Sequence, residues 1–152
     1  MELLKVEGQI METLDNSKKE QAEKHGRRGF KYLMQSKFKQ AEQAFKEAIK
    51  LNPDYEGIHT NLGTVYAAQG KLENALPEFQ EALKNNLHSA ELNYNVASCL
   101  DKMGRYSEAV EYWMMYLLFA RELPEGSPAH RDAVRWVQRH VDELKQKISN
   151  GD

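Results

Sequence analysis

The stretch EGIHTNLGTVYAAQGKLENALPEFQEALKNNLHS, residues 56–89, reads as a pair of helices. Ile58, Leu62, Val65 and Tyr66 follow the spacing of a single apolar helix face. Gln69-Gly70-Lys71 interrupts that face, and Leu76, Phe79, Ala82 and Leu83 take it up again. A helix pair of this size cannot bury its stripe alone, so a neighbour has to cover it.

The neighbours are written in the same register. At an offset of 34 residues, Gly29, Gly63 and Ala97 align, and so do Tyr32, Tyr66 and Leu100. Ser36, Gly70 and Gly104 follow, then Phe38, Leu72 and Tyr106. Ala41, Ala75 and Ala109 form another column, as do Phe45, Phe79 and Trp113. Ala48 and Ala82 share a column that Tyr116 breaks. Small side chains let two backbones approach, and large ones fill the space between.

Leu62-Gly63, Tyr66, Ala75, Phe79, Ala82 and Pro53 make the chain resemble a tetratricopeptide-repeat (TPR) protein. The resemblance implies an all-α fold, a right-handed superhelix of stacked antiparallel helix pairs. It divides the chain into a short amphipathic helix at 1–16, three repeats within 17–123, and a turn with a capping helix at 124–152. The repeats fall at about 22–55, 56–89 and 90–121, giving about eight helices in all. Two residues depart from the family pattern. Arg28 stands where a large apolar residue is usual, and Tyr116 where a small one is usual, which should push the following element outward.

The flanks carry local signals of their own. Leu3, Val6, Ile10 and Leu14 make an apolar stripe that Asp15-Asn16 is expected to end. Ser17 and Glu20 have the spacing of a capping box, so a new helix is expected from Lys18. Residues 124–128 (PEGSP) read as a turn. Beyond it, Val134, Val137, Val141, Leu144 and Ile148, joined by Trp136, read as a capping helix.

Composition narrows the function. The 152 residues carry 21 Lys and Arg against 23 Asp and Glu, a net charge of -2, which disfavours a nucleic-acid binder. No apolar run is long enough to span a bilayer, and the first residues lack a signal-peptide layout. The expectation is a cytoplasmic protein without membrane insertion. Charge is uneven along the chain: residues 18–50 hold ten bases and four acids (+6), and residues 54–125 hold five bases and eleven acids (-6). A basic first repeat facing an acidic ligand, or the acidic face of another copy, is one reading of that split.

No constellation for catalysis stands out. None of His25, His59, His88, His130 and His140 forms an H-x-x-x-H pair, so no metal site is expected. Cys99 falls inside a helix as a small core residue. Residues 63–71 (GTVYAAQGK) have six residues between glycines where a phosphate loop has four. The chain is therefore expected to be no enzyme and to need no cofactor.

What information remains lies on the first helix of each repeat, which the resemblance makes the lining of a concave groove. It selects Arg27, Phe30 and Met34 in repeat one, with Glu23, Gly26 and Leu33. It selects Asn61 and Thr64 in repeat two, with Gly57, Thr60, Ala67 and Ala68. In repeat three it selects Tyr94, Asn95, Ser98 and Lys102, with Glu91 and Asp101. Asparagine amides both donate and accept, so they suit a peptide backbone of any sequence. One TPR subclass grips a partner's C-terminal carboxylate with lysine, asparagine and arginine. Here only Asn61 matches, with Gly26, Phe30, Glu91 and Asn95 at the other places, so a carboxylate-clamp ligand is not expected.

The function these residues point to is a non-enzymatic adaptor or scaffold holding a peptide segment of a protein partner. A self-assembling homo-oligomeric scaffold is the alternative, and an accessory subunit of an enzyme complex comes third. Residues 113–120 (WMMYLLFA) are apolar all round, and a helix of that kind needs cover on every side. Met114, Met115 and Leu118 are accordingly the candidates for self-association.

Overall fold

A computed structural model describes residues 1–120 and 128–151, with side chains of the last helix described from residue 131. Seven α-helices make up these residues: α1 (Glu2–Met34), α2 (Phe38–Leu51), α3 (Ile58–Ala68), α4 (Leu72–Asn85), α5 (Ala90–Lys102), α6 (Tyr106–Ala120) and α7 (Pro128–Asn150). No strand occurs among them. In sequence, α1/α2, α3/α4 and α5/α6 are three TPR-type pairs and α7 is the additional terminal helix. Residues 124–127 of the expected turn lie outside the described residues.

The helix count differs from expectation at the N-terminus. A break at Asp15-Asn16 is absent, and α1 runs unbroken through it for 33 residues. The capping signal at Ser17 is local, and neither Pro nor Gly stands there to enforce it. Instead, Lys19 pairs with Asp15 at 2.7 Å, and Gln21 Nε2 donates to Ser17 Oγ at 3.4 Å. Both contacts are one turn apart and reward continued helix. The expected pair of helices is a single long one.

The turns inside the repeats are built alike. Gly70 and Gly104 adopt φ of 73° and 75°, and Ser36 adopts 56° in the aligned place. Around Ser36, its N–H donates to Leu33 O and the Lys37 N–H donates to Tyr32 O, both at 2.9 Å. The Gly104 and Arg105 N–H groups do the same toward Asp101 O and Leu100 O. This left-handed closure satisfies the last carbonyls of the preceding helix. Three aligned positions thus perform one backbone task, at a steric cost only where the residue is Ser.

The chain forms two compact units, Met1–Gly70 and Lys71–Asp152. In the first, α2 packs against both α1 and α3. Its core is Ala22, Gly26 and Gly29 of α1, Ala41, Phe45 and Ala48 of α2, and Ile58, Leu62 and Val65 of α3. A methyl group on Gly29 would come within 2.6 Å of the Phe45 ring, so the small residue lets that ring lie against the α1 backbone. Lys46 extends over the Tyr66 ring, 5.6 Å from its centre. Gln69 Nε2 donates to Glu42 Oε2 at 3.3 Å.

In the second unit, α5 packs on α4 and α6, and α7 packs on α6. Ser89 caps α5 by accepting the Leu92 N–H, and the buried Asn93 donates to Leu87 O and Ser89 O. The outward push expected of Tyr116 is not seen. Its ring is taken up edge-on by Tyr94 and Trp113, and α7 buries Val137, Val141 and Leu144.

Candidate binding surfaces

Three surfaces gather the residues singled out from sequence. The first lies in the N-terminal unit, where α1 and α3 approach each other beside the α2–α3 connection. Gly26, Arg27 and Phe30 of α1, Tyr55 and Glu56 of the connection, and Asn61 of α3 line a shallow basin of about 230 Å³. Phe30 leaves 51% of its surface exposed, while Asn61 is half-buried. Arg27 leans loosely on Glu23 at 3.5 Å and remains exposed. The basin therefore joins an exposed ring, an amide and charges of both signs.

Tyr55 and Glu56 were not legible as site residues. The signal for Tyr55 lay in the glycine opposite it, since a methyl group on Gly26 would meet Tyr55 Cε1 at 2.2 Å. Gly26 is thus the seat of the Tyr55 ring and not open groove floor. Met34 and Thr64 stand outside the basin. Met34 is exposed at the end of α1, and the Thr64 hydroxyl donates to Thr60 O on its own helix at 2.9 Å. Gly57 is the left-handed residue that caps the N-terminus of α3, with φ 74°.

The second surface lies on α5. Tyr94 is 39% exposed but also belongs to an aromatic cluster, edge-on to Trp113 at 5.0 Å and to Tyr116 at 5.6 Å. Trp136 meets Trp113 edge-on at 6.0 Å and stacks on His140 at 4.8 Å. His140 Nε2 donates to Asp101 Oδ2 at 2.5 Å, tying α7 to α5. That histidine was missed as a structural partner, because nothing in the 39-residue separation announces the contact. Burial, and then Tyr94 nearby, raises the Tyr116 phenol above its ordinary pKa. Asn95 and Ser98 are half-buried, and Lys102 is exposed.

The third surface is a trough of about 340 Å³ between α6 and α7, lined by Met114, Met115, Leu117, Leu118, Gln138, Val141 and Lys145. Met114, Met115 and Leu118 are 51%, 40% and 53% exposed, while Leu117 and Val141 form the buried floor. Among the described residues, no group of three His, Cys, Asp or Glu converges to hold a metal. Cys99 is buried, and that burial pushes its thiol pKa up, away from the reactive thiolate. No helix among the described residues is long and apolar enough to cross a membrane.

Known proteins carry the same architecture. A TPR repeat profile matches residues 29–70, and a tetratricopeptide repeat profile matches residues 60–127. With the helix pairs described above, these matches make the chain a member of the tetratricopeptide-repeat family. No curated protein sequence matches it significantly. Among solved structures, it is similar to the TPR2B domain of yeast Sti1 in its pHsp70 complex, at 21% identity and TM-score 0.65, covering 87% of this chain and 98% of that one. It is also similar to the Yersinia enterocolitica type III secretion chaperone SycD in complex with a peptide of the translocator YopD. That match has 18% identity and TM-score 0.68, covering 82% of this chain and 92% of the other. The Sgt2 TPR domain from Aspergillus fumigatus matches at 18% identity and TM-score 0.66, with 82% of each chain covered. At such identities the likeness is one of fold.

Proposed function

We propose that this protein is a non-enzymatic interaction module, an adaptor or scaffold that takes a peptide segment of a protein partner. The observation that carries the reading is the basin between α1 and α3. There Phe30 offers an exposed aromatic face, and the Asn61 amide supplies donors and an acceptor beside it. An apolar anchor next to a backbone-reading amide suits a short peptide. Two of the similar structures are complexes, that of Sti1 with pHsp70 and that of SycD with a peptide of YopD, which supports the same use of the fold here.

The ligand is a segment other than a C-terminal carboxylate. Where the clamp's first lysine would stand, Gly26 lies under the Tyr55 ring. Phe30, Glu91 and Asn95 supply no cation at the other places. Tyr94, Asn95, Ser98 and Lys102 form the corresponding candidate face on the C-terminal unit. A cytoplasmic setting fits this role.

An unbiased pull-down with mass spectrometry tests the proposal, run with the wild type and with Phe30→Ala/Asn61→Ala. Loss of an aromatic anchor and its amide should weaken the captured partner by about 1–3 kcal/mol each, while helicity is retained. An identical partner set at identical affinity from both proteins overturns it.

A further inference from the structure

Two apolar faces of this chain lie bare. One is the N-terminal part of α1, where every residue from 1 to 21 is exposed. Along it, Leu3, Val6, Ile10 and Leu14 each leave more than half of their surface uncovered, flanked by Leu4 and Met11. A helix of this amphipathic kind owes most of its stability to whatever covers its apolar face. The other bare face is the α6–α7 trough, walled by Met114, Met115 and Leu118.

The charge that lines the trough is opposite to that of the stripe. Residues 2–15 carry Glu2, Glu7, Glu12 and Asp15 against Lys5, with Asp15 paired to Lys19. The two helices of the trough sum to no net charge, since Glu108 and Glu111 of α6 offset the excess of two cations over 131–150, but the charged side chain in the lining is the cation Lys145. The cations over 131–150 are all exposed, and Lys145 stands on the wall of the trough itself.

We propose that the N-terminal stripe of α1 from one copy of this chain lies in the α6–α7 trough of a second copy. Val6, Ile10 and Leu14 are spaced one turn apart, as the anchors of a helix lying in a groove are. Glu7, on the same face of α1, meets Lys145 on the trough wall, which fixes the direction of the docked helix. The contact joins two different patches, so one copy supplies the helix and the other the groove. It involves none of the basin residues, and it stands independently of the peptide reading.

Single-cysteine variants of the full chain test it directly, in a Cys99→Ala background that removes the buried thiol. Ile10→Cys and Leu118→Cys chains, mixed and mildly oxidised, should link one of each into a covalent pair. Sedimentation should show self-association weakened by about tenfold or more by Val6→Glu/Ile10→Glu, and equally by Met114→Glu/Leu118→Glu. Deletion of residues 1–14 should have the same effect with the thermal transition retained, because all of those residues are exposed. A wild type that stays monomeric at millimolar concentration overturns the proposal. So do Leu118→Cys chains that link only to each other, or a chain carrying both cysteines that closes on itself without forming pairs. In any of those cases, capture of partners through Phe30 and Asn61 would be unaffected, which separates the two failures.

Discussion

Gly26 shows how a single missing side chain shapes the candidate basin. With Tyr55 Cε1 at 2.2 Å from the position of an added methyl, Gly26→Ala must displace the ring or the helix. Overpacking of this kind costs about 1–3 kcal/mol. The variant should melt lower and lose partner capture together, whereas Phe30→Ala should lose capture with little change in melting. Ser36 presents the reverse situation. It holds φ 56° where the aligned turns use glycine, so Ser36→Gly relieves a strained position. A gain of up to about 1 kcal/mol in chemical denaturation is expected, since the greater freedom of glycine in the unfolded chain offsets part of the relief. Tyr94 is less simple than its sequence position implies. Its contacts with Trp113 and Tyr116 mean that Tyr94→Ala weakens the fold of the second unit as well as any bound ligand.

At the scale of the helices, the apolar columns repeated every 34 residues announced three helix pairs, though not where the first helix begins. Each column corresponds to one physical job, such as a turn, a close approach or a filler. Ala75 is fully buried and Glu73 exposed on the same helix. Ala75→Leu should therefore cost about 1–3 kcal/mol by overpacking, while Glu73→Gln should stay within about 0.5 kcal/mol. Equal melting temperatures would contradict the packing of α4. The pattern failed where the information was not periodic. Ser17 and Glu20 spelled a helix start, but α1 runs through it, with the Asp15–Lys19 pair bridging the weak helix formers at 15–17. Tyr55 belongs to a connection, so no helix register pointed to it. Asp101 and His140 meet only because α7 lies where it does. Four of the six residues of the basin were readable, namely those that lie on α1 and α3.

Across the whole molecule, alkaline pH is the condition to which both units respond. Lys46 is pushed up to about 12, chiefly by its hydrogen bond to Glu42 and then by Tyr66. Tyr116 is raised by burial. Both groups hold their proton more tightly when folded. The stability they contribute is full below the unfolded values of 10.5 and 10.0, and is lost as pH rises through the folded ones. Melting temperature should be insensitive to these groups near neutrality and fall above about pH 10. Lys46→Met should blunt part of that fall. The Lys46 part is small, within about 0–1 kcal/mol, because its side chain is half in solvent.

The aromatic cluster also gives the molecule an uneven optical signature. Both tryptophans, Trp113 and Trp136, lie in the second unit, and the first has none. Indole emission therefore watches residues 71–152 alone, while far-ultraviolet ellipticity watches every helix. Tyr94 and Tyr116, with rings 5.0 Å and 6.3 Å from that of Trp113, will pass their excitation to it. Excitation at tyrosine wavelengths also reaches indole directly, so the expected readout is a fall in the transferred share of the indole light once α5 and α6 separate. A melt followed by emission and ellipticity side by side sets the second unit against the whole chain, with no dye attached.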